Sequence, residues 1–304
     1  MDYVFYTNGL SKKYKGFKAL DNLNMHVPKG AIYGFVGKNG AGKTTLIRLL
    51  CGLQEPTDGT YTLYGRKNND KDITKSRRRI GAVVETPSIY MNMTAEENLK
   101  EQYCILGLPS FDGIDEILKL VGLEHTGKKK AGHFSLGMRQ RLGIAIALCG
   151  DPDFLVLDEP TNGLDPEGII EMRELILKLN REKQITLLIS SHILDELSRL
   201  ATQYGFIDHG QIVKEISAAD LDAACRKRSR VEVSNIKALS LVLDDMNLEY
   251  TIISDKEADI WGTFNLTSLT LALASRNCDI MSIQQHDESL ENFYMNLVGG
   301  ETNV

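Results

Sequence analysis

The chain has 304 residues, of which 42% are hydrophobic, and it carries a formal net charge of −6. This length is enough for one large domain or two smaller ones, and the hydrophobic content argues against bulk disorder. The acidic balance argues against a protein whose whole surface binds nucleic acid, so no nucleic-acid partner is expected.

The cysteines and the apolar segments bear on the compartment. The five cysteines are far apart and show no metal-ligand spacing, which indicates reduced thiols in a cytosolic protein. The N-terminus lacks the basic region and apolar core of a signal peptide. The most apolar stretch, residues 142–149, is far shorter than the ~20 residues that cross a bilayer. We therefore expect a soluble chain that would work at a membrane only by docking to a protein that crosses it.

The opening section predicts an antiparallel β layer that leads into an α/β core. Apolar residues alternate over residues 20–27, which is typical of a half-exposed strand. The apolar run at 31–36 predicts a buried strand. Further on, a turn at 57–59 precedes a short strand at 60–64.

The stretch after the strand at 31–36 has P-loop spacing and consists of Gly37, Lys38, Asn39, Gly40, Ala41, Gly42, Lys43 and Thr44. Glycines let the backbone wrap close to a polyphosphate, while backbone N–H groups and the positive end of the next helix face the anion. Lys43 adds a positive charge near the β- and γ-phosphates, and the Thr44 hydroxyl is placed to ligate Mg²⁺. The loop therefore predicts a phosphate-binding site with Mg²⁺.

Beyond this loop, strands and helices alternate around one helical block. A strand at 79–84 ends at Glu85, and a mainly helical pattern over 95–124 predicts an inserted subdomain over about residues 87–150. The alternation returns with a strand at 153–158, a helix at 167–183, a strand at 185–190 and a helix at 194–201. Repeated units of this kind build a parallel sheet with helices on its faces.

Polar residues follow the ends of these strands, namely Glu85, Asp158, Glu159 and His192. Ligands of parallel sheets gather at the carboxyl ends of the strands, so we expect these residues to converge beside the P-loop. Asp158 can reach Mg²⁺ through water, and Glu159 can polarise an attacking water as a general base.

The pattern changes after about residue 216. A charged, mostly helical linker is expected over residues 216–229, followed by a separate domain over residues 230–304. The elements of that domain follow the order βαββαβ, which is typical of a small ferredoxin-like α+β domain, and a last helix covers about 290–298. No catalytic motif occurs in this part of the sequence.

Several ordered motifs resemble those of the ATP-binding-cassette (ABC) ATPases over about residues 3–214, so an ABC ATP-binding domain is expected over residues 1–215. The matching parts are Tyr14 for the aromatic that stacks on adenine, Gly37 to Thr45 for the Walker A loop, 134–138 for the signature motif, 157–165 for the Walker B and D-loop run, and 190–192 for the switch histidine. The resemblance implies an α/β P-loop fold with a parallel sheet core, an antiparallel β layer and a helical insert.

The same resemblance implies ATP as the nucleotide and gives roles to further residues. Ser135 and Gly137 would contact the γ-phosphate held by a partner subunit, and His192 would contact the γ-phosphate in its own subunit. Asp165 would help to link the two sites across the interface. Plainer interpretations remain open: Tyr14 as a surface tyrosine, Ser135 as a simple helix N-cap and His192 as a core histidine.

The signature and the γ-phosphate loop depart from the common family pattern. Leu136 stands where the usual LSGGQ signature has its first glycine, and Met138 stands where it has glutamine. Glu85 replaces the usual glutamine, and a carboxylate could ligate Mg²⁺ more strongly but would repel a phosphate without the metal. This glutamate, the SLGM-like signature and the βαββ-type tail resemble the subfamily that exports bacitracin and lantibiotic peptides in Gram-positive bacteria.

Members of this family pack two cassettes head to tail with two ATP molecules between them. The chain has one Walker A loop and one signature, so it would form a homodimer or pair with a related cassette. The insert near residues 91–108 would dock the cytoplasmic helices of a polytopic membrane permease. The chain would then be cytoplasmic and peripheral on the inner face of the cell membrane, and ATP hydrolysis would drive export of a peptide antibiotic, a lantibiotic or a similar amphiphile.

Three other interpretations compete with transport. A soluble ABC ATPase could act on ribosomes or DNA, but the second cassette, long coiled coils and metal-binding cysteines of those groups do not occur in the sequence. A P-loop GTPase or kinase is a further alternative, although a GTPase needs a guanine-reading Asn-Lys-x-Asp run that this sequence lacks. A catalytically silent regulator is disfavoured by the presence of Lys43, Asp158, Glu159 and His192.

Overall fold

The computed structural model describes residues 2–225, 228–286 and 290–298 of the chain. The chain divides into two compact units, Met1–Ala218 and Ala219–Val304, and the division falls inside the predicted linker. Throughout the described ranges, no helix is long and apolar enough to cross a membrane.

The first unit alternates strands and helices. In chain order its elements are β1 (Tyr3–Tyr14), β2 (Phe17–Leu23), β3 (His26–Pro28), β4 (Ile32–Val36), α1 (Lys43–Leu50), β5 (Asp58–Leu63), β6 (Arg66–Lys67), α2 (Ile73–Arg77), β7 (Ile80–Val83), α3 (Ala95–Leu106), α4 (Ile114–Leu120), a 3-10 turn (Ala131–His133), α5 (Leu136–Leu148), β8 (Phe154–Asp158), α6 (Pro166–Lys183), β9 (Thr186–Ser191), α7 (Leu194–Ser198), β10 (Gln203–Asp208) and β11 (Gln211–Ser217).

An antiparallel sheet in the order β2-β1-β5-β6, with β3 also paired to β1, forms the predicted β layer. The expected strand at 20–27 is in fact two strands, because a side chain interrupts its ladder. Thr7 Oγ1 donates to the Leu23 carbonyl at 2.8 Å and accepts from Met25 N at 2.9 Å. Since the hydroxyl takes the place of a backbone partner, β2 and β3 pair with different parts of β1.

A six-stranded sheet in the order β11-β10-β4-β9-β8-β7 forms the centre of the first unit. Its strands from β10 to β7 pair in parallel, and β11 joins the edge antiparallel. The predicted elements do not include β10 and β11. These strands form a hairpin whose turn residues His209 and Gly210 have φ values of 46° and 78°. Asn-Gly or Asp-Gly is the usual sequence signal for such a turn, and His-Gly is not.

The buried core of the first unit lies between these two sheets. Phe5 and Tyr61 of the antiparallel sheet, Phe35 and Val156 of the central sheet and Leu46 of α1 belong to one buried cluster. β4 and β8 are buried along their whole length, as expected for strands covered on both faces. This packing fixes the carboxyl ends of both strands and the start of α1.

The predicted helical pattern at 95–124 forms two helices, α3 and α4. A capping box begins α3, because Thr94 Oγ1 accepts from Glu97 N at 3.2 Å while Glu97 Oε2 accepts from Thr94 N at 2.7 Å. Gly107 ends the helix with a φ of 68°, a conformation that favours glycine. The chain then reaches α5, which leads back into the central sheet at β8.

The second unit has the predicted βαββαβ order. Its elements are α8 (Ala218–Ala224), β12 (Arg228–Val233), α9 (Ile236–Asp245), β13 (Tyr250–Ile252), β14 (Glu257–Trp261), α10 (Leu266–Ala274), β15 (Ile280–His286) and α11 (Leu290–Val298). The strands pair antiparallel in the order β13-β14-β12-β15, which is the ferredoxin-like arrangement. Val231, Leu239, Val242, Ile260 and Leu273 belong to its separate buried core.

Candidate nucleotide site

The P-loop connects β4 to α1, and close packing requires two of its glycines, Gly37 and Gly42. Gly42 has a φ of 113°, and a Cβ placed there would lie 2.5 Å from the Ala19 carbonyl oxygen. A Cβ at Gly37 would lie 2.6 Å from Ile207 Cγ2. α1 begins at Lys43, directly after this turn, so its first backbone N–H groups point into the loop.

Lys43 is buried and bends back over its own loop. Its Nζ donates to the Gly37 carbonyl at 2.6 Å and to the Lys38 carbonyl at 3.3 Å. The same Nζ lies 3.2 Å from Glu159 Oε1. The ammonium group is therefore held at the mouth of the loop, where one carboxylate compensates its charge.

Thr44 and Asp158, the two predicted magnesium ligands of the P-loop and β8, lie side by side. Thr44 Oγ1 donates to Asp158 Oδ2 at 2.9 Å, and Ser190 Oγ donates to Asp158 Oδ1 at 2.5 Å. Only 2% of Asp158 is exposed. A hydroxyl and a carboxylate are hard oxygen donors, and Mg²⁺ usually takes few protein ligands beside the phosphates of its substrate. Among the described residues, no group of three or more His, Cys, Asp or Glu side chains could hold a metal ion.

Glu159 and His192 form a hydrogen-bonded pair at the ends of the adjacent strands β8 and β9. His192 Nδ1 lies 2.6 Å from Glu159 Oε2. Glu159 N donates to Ser190 Oγ at 3.0 Å, which orients the turn after β8. Glu159 also has a φ of 51°, an uncommon backbone conformation that marks many functional turns. The structure thus brings Lys43, Asp158, Glu159 and His192 together at the carboxyl ends of the central strands β4, β8 and β9.

Glu85, a predicted magnesium ligand, has a different partner in the structure. Its Oε1 lies 2.6 Å from Arg48 Nη2, on α1, and 56% of its side chain is exposed. The carboxylate is thus beside the helix that follows the P-loop, whereas Thr44 and Asp158 bind each other. Coordination of Mg²⁺ by Glu85 stays a prediction.

Tyr14 ends β1 and is 38% exposed. Its hydroxyl donates to Gln54 Oε1, and Lys12 Nζ lies 5.4 Å from the centre of its ring. This exposed ring meets the requirement of a stacking platform, while the contacts suit a surface tyrosine equally well. The role of Tyr14 in binding adenine stays a prediction.

Ser135, Gly137 and Asp165 line one surface groove together with Leu136 and Leu164. Ser135 caps α5 by accepting from Met138 N at 3.2 Å, and Asp165 caps α6 by accepting from Gly168 N at 3.0 Å. No P-loop residue lines this groove in the part of the chain that the structure describes. The signature residues therefore form a second surface, and their contact with a phosphate of a partner subunit stays a prediction.

Three polar residues near the site are missing from the predicted set. Ser190 fixes both Asp158 and Glu159, Arg48 pairs with Glu85, and Glu196 accepts from Thr161 Oγ1 at 2.5 Å. Ser190 could have been identified because it opens the run 190–192 that was matched to the switch histidine. Arg48 and Glu196 lie on helices and reach partners 37 and 35 residues away, so no local pattern predicts them.

Comparison with known proteins gives consistent matches. The family model described as ABC transporter matches residues 20–162. The bacitracin transport ATP-binding protein BcrA of Bacillus licheniformis is 42% identical to the chain, over 99% of both. The lantibiotic transport ATP-binding protein SrtF of Streptococcus pyogenes is 45% identical over 68% of this chain and 87% of its own length.

Solved structures lead to the same group of proteins. The dimeric post-hydrolysis structure of the ATP-binding cassette MJ0796, bound to ADP and Pi, aligns with 70% of this chain and 98% of its own. The sequence identity is 27% and the TM-score is 0.63. Together with the P-loop geometry, these matches define the first unit as a nucleotide-binding cassette.

Proposed function

Because the chain belongs to the ABC transporter family as an ATP-binding, ATP-hydrolysing subunit, we propose that it powers export of a peptide antibiotic, a lantibiotic or a similar amphiphile. Its bacitracin-transport relative aligns over the whole chain, including the second unit. The lantibiotic-transport relative aligns over 68% of it. The substrate class is inferred from the names of these relatives.

We assign hydrolysis to Glu159 and His192. Glu159 acts as the general base that orients and deprotonates the attacking water, and His192, 2.6 Å away, holds that carboxylate and reaches the γ-phosphate. Lys43 exchanges its contact with Glu159 for the β- and γ-phosphates when ATP binds, which frees the carboxylate for catalysis. The position of Glu159 between Lys43 and His192 is the single observation that carries this proposal.

The residues present fit Mg²⁺ as the cofactor of ATP. Thr44 and Asp158 would hold it, and Mg²⁺ supplies charge neutralisation on the transferred phosphate. Ser190 fixes one oxygen of the Asp158 carboxylate, so the other oxygen is directed towards Thr44. Glu85 would join this set once it separates from Arg48.

The functional form is proposed to be a homodimer or a pair with a related cassette. The groove with Ser135, Gly137 and Asp165 contains a helix N-terminus but no P-loop residue among those described. Ser135 and Gly137 would therefore complete the site of a second chain, where the N-terminus of α5 favours an anion. Tyr14 would stack on the adenine, and Asp165 would connect the two sites.

A polytopic membrane permease is the proposed second partner. Tyr90, Met91, Ile105 and Leu106 of the helical insert expose between 46% and 62% of their surface. Exposed apolar side chains on one subdomain are a feature of many protein interfaces. The chain would then be peripheral on the inner face of the cell membrane, and no nucleic-acid partner is proposed.

Recovery of partners from detergent-solubilised membranes tests this function. A tagged Glu159→Gln chain held with ATP should capture a polytopic membrane protein, because it binds nucleotide without turnover. A Lys43→Ala chain, which should bind ATP weakly, is the matched control. In the presence of ATP it should capture less of the membrane protein than the Glu159→Gln chain does. Recovery of ribosomes or nucleic acid with no membrane protein would overturn the transport function in favour of a soluble ABC ATPase.

A further inference from the structure

The carboxylate of Glu196 lies beside the site but outside every motif. Glu196 is on α7, and its Oε2 accepts a hydrogen bond from Thr161 Oγ1 at 2.5 Å. The same oxygen lies 3.3 Å from Ser191 Oγ. Thr161 is 6% exposed and Ser191 is 2% exposed. Buried hydroxyls need hydrogen-bond partners, and Glu196 provides one to each of them.

These two hydroxyls belong to the same segments as the proposed catalytic pair. Thr161 follows Glu159 by two residues, and Ser191 directly precedes His192. The Glu196 carboxylate therefore joins the chain after β8 to the end of β9. The Glu159–His192 contact at 2.6 Å joins the same two segments by a second, parallel link.

The Ser191 hydroxyl and the Thr161 backbone carbonyl also organise the turns in which they lie. Ser191 Oγ accepts from Ile193 N at 3.0 Å, so the residues on both sides of His192 are tied to one group. On the other segment, Leu164 N donates to the Thr161 carbonyl at 3.1 Å in the turn that leads to Asp165. Displacement of Thr161 would therefore disturb both Glu159 and the start of α6.

We propose that Glu196 is a positioning residue for ATP hydrolysis, which acts by holding the Thr161 and Ser191 hydroxyls and so aligns Glu159 with His192. This inference rests on the proposed roles of Glu159 and His192. A general base works only when it is held close to its reacting group, and small displacements cost large factors in rate. Glu196 does not touch the nucleotide phosphates in this scheme and acts through its two neighbours.

A plainer role for Glu196 would be stabilisation of α7. Acidic side chains in the first turn of a helix interact favourably with its N-terminal dipole. Asp195 and Glu196 both lie in the first turn of α7, but only Glu196 has a side-chain bond to Thr161. Asp195→Ala therefore removes a first-turn charge from the same helix without breaking this link, and it is a matched control.

Steady-state ATPase kinetics of three variants test the proposal. Glu196→Ala should lower kcat about tenfold and change KM for ATP less than about twofold. The reason is that Glu159 and His192 lose their alignment, while the residues that bind ATP stay in place. Asp195→Ala should keep kcat. Glu196→Gln should keep most of it, because an amide oxygen can still accept from Thr161. Equal kcat in Glu196→Ala and wild type would overturn the proposal. So would a parallel loss of ATP binding and thermal stability in Glu196→Ala that Asp195→Ala does not show.

Single-turnover rates in combined variants show whether Glu196 acts through its neighbours. Thr161→Val should reproduce the loss of Glu196→Ala, and the double variant should lose no more than either alone. In a His192→Ala background, adding Glu196→Ala should lower the single-turnover rate by less than about twofold. A full additional tenfold loss there would contradict the proposal. Failure of the underlying roles is distinguishable, since Glu159→Gln would then hydrolyse ATP at the wild-type rate.

Discussion

Arg48 Nη2 on α1 lies 2.6 Å from Glu85 Oε1, just beyond the end of β7. The sequence resemblance predicts that Glu85 stands where most ABC ATPases have glutamine, which would place an extra negative charge near the phosphates of a bound nucleotide. The Arg48 guanidinium offsets that charge by pairing directly with the Glu85 carboxylate. The two side chains are 37% and 56% exposed, so the pair is partly screened by solvent.

Arg48 should reduce the repulsion between Glu85 and a metal-free nucleotide. Arg48→Met is expected to weaken ATP binding in EDTA by about twofold to fivefold, which corresponds to the ~0.5–1 kcal/mol of an exposed ion pair. Glu85→Gln should bind metal-free ATP more tightly than wild type and should show weaker dependence on Mg²⁺. Titration of a fluorescent ATP analogue with and without Mg²⁺ measures both effects. An equal effect of Arg48→Met in the Glu85→Gln background would show that the pair is irrelevant.

Gly42 should tolerate no side chain. Its φ of 113° is strained for any other residue, and an added Cβ would meet the Ala19 carbonyl oxygen at 2.5 Å. Gly42→Ala is expected to lose more than ~2 kcal/mol of unfolding free energy and to abolish ATP binding. Gly65→Ala is the matched control, since Gly65 has a φ of 77° with nothing within 4 Å of a Cβ. The Gly65→Ala variant should lose only ~1 kcal/mol of unfolding free energy and should bind ATP normally. Urea unfolding and nucleotide titration give the two readouts, and similar losses for both variants would contradict the packing argument.

Thiol labelling should separate the buried Cys149 and the half-buried Cys51 from the exposed Cys104. Burial raises the pKa of Cys51 to about 12 and that of Cys149 to about 12, while Cys104 is exposed. At pH 8 the folded protein should label Cys104 quickly and should label Cys51 and Cys149 at least about 100-fold more slowly, because the thiolate is the reactive form. Mass spectrometry of the labelled peptides identifies each site, and the urea-unfolded chain provides the reference. Fast labelling of the half-buried Cys51 in the folded state would contradict the raised pKa of its thiol.

The same shifts set the direction of a pH effect on stability. Between about pH 9 and pH 12, the folded chain keeps these thiols protonated while the unfolded chain releases their protons. The unfolded state therefore binds fewer protons, and the free energy of unfolding falls as the pH rises through this window. Urea titrations at pH 8 and pH 10 should show the loss, which should shrink in a Cys51→Ala variant.

The second unit should depend on a buried carboxylate. Only 3% of the Asp259 side chain is exposed, and its oxygens lie 2.8 Å and 3.3 Å from the guanidinium groups of Arg230 and Arg228. Asp259→Ala is expected to cost ~1–3 kcal/mol of unfolding free energy, because two cations lose their partner. The exposed Asp255→Ala should change it by less than ~0.5 kcal/mol. Calorimetry of both variants measures the difference. Equal transition temperatures would show that the ion pairs of Asp259 with Arg228 and Arg230 contribute nothing to stability.

The sequence predicts the parts of the site that lie within continuous motifs. Lys43 and Thr44 follow a glycine loop, and Asp158 and Glu159 end an apolar strand, so their convergence follows from the rules of parallel sheets. The interruption of the strand at 20–27 was not predictable, because it arises from Thr7, which lies on another strand. Long-range polar contacts of this kind depend on the packed fold.

The same limit explains the residues that support the site. Arg48 and Glu196 occupy ordinary positions on amphipathic helices, and their partners become apparent only when the loops after β7 and β8 are in place. The absence of β10 and β11 from the prediction has a local cause, since His209 replaces the usual turn residue before Gly210.

The central claim is that Glu159, held between Lys43 and His192, is the general base for ATP hydrolysis. The most direct measurement compares ATP affinity and ATPase rate of the purified Glu159→Gln chain with wild type. The account predicts affinity within about twofold and a rate at least about 100-fold lower, because loss of a general base typically costs 10²–10⁴-fold. A Glu159→Gln chain that hydrolyses ATP at the wild-type rate would contradict it.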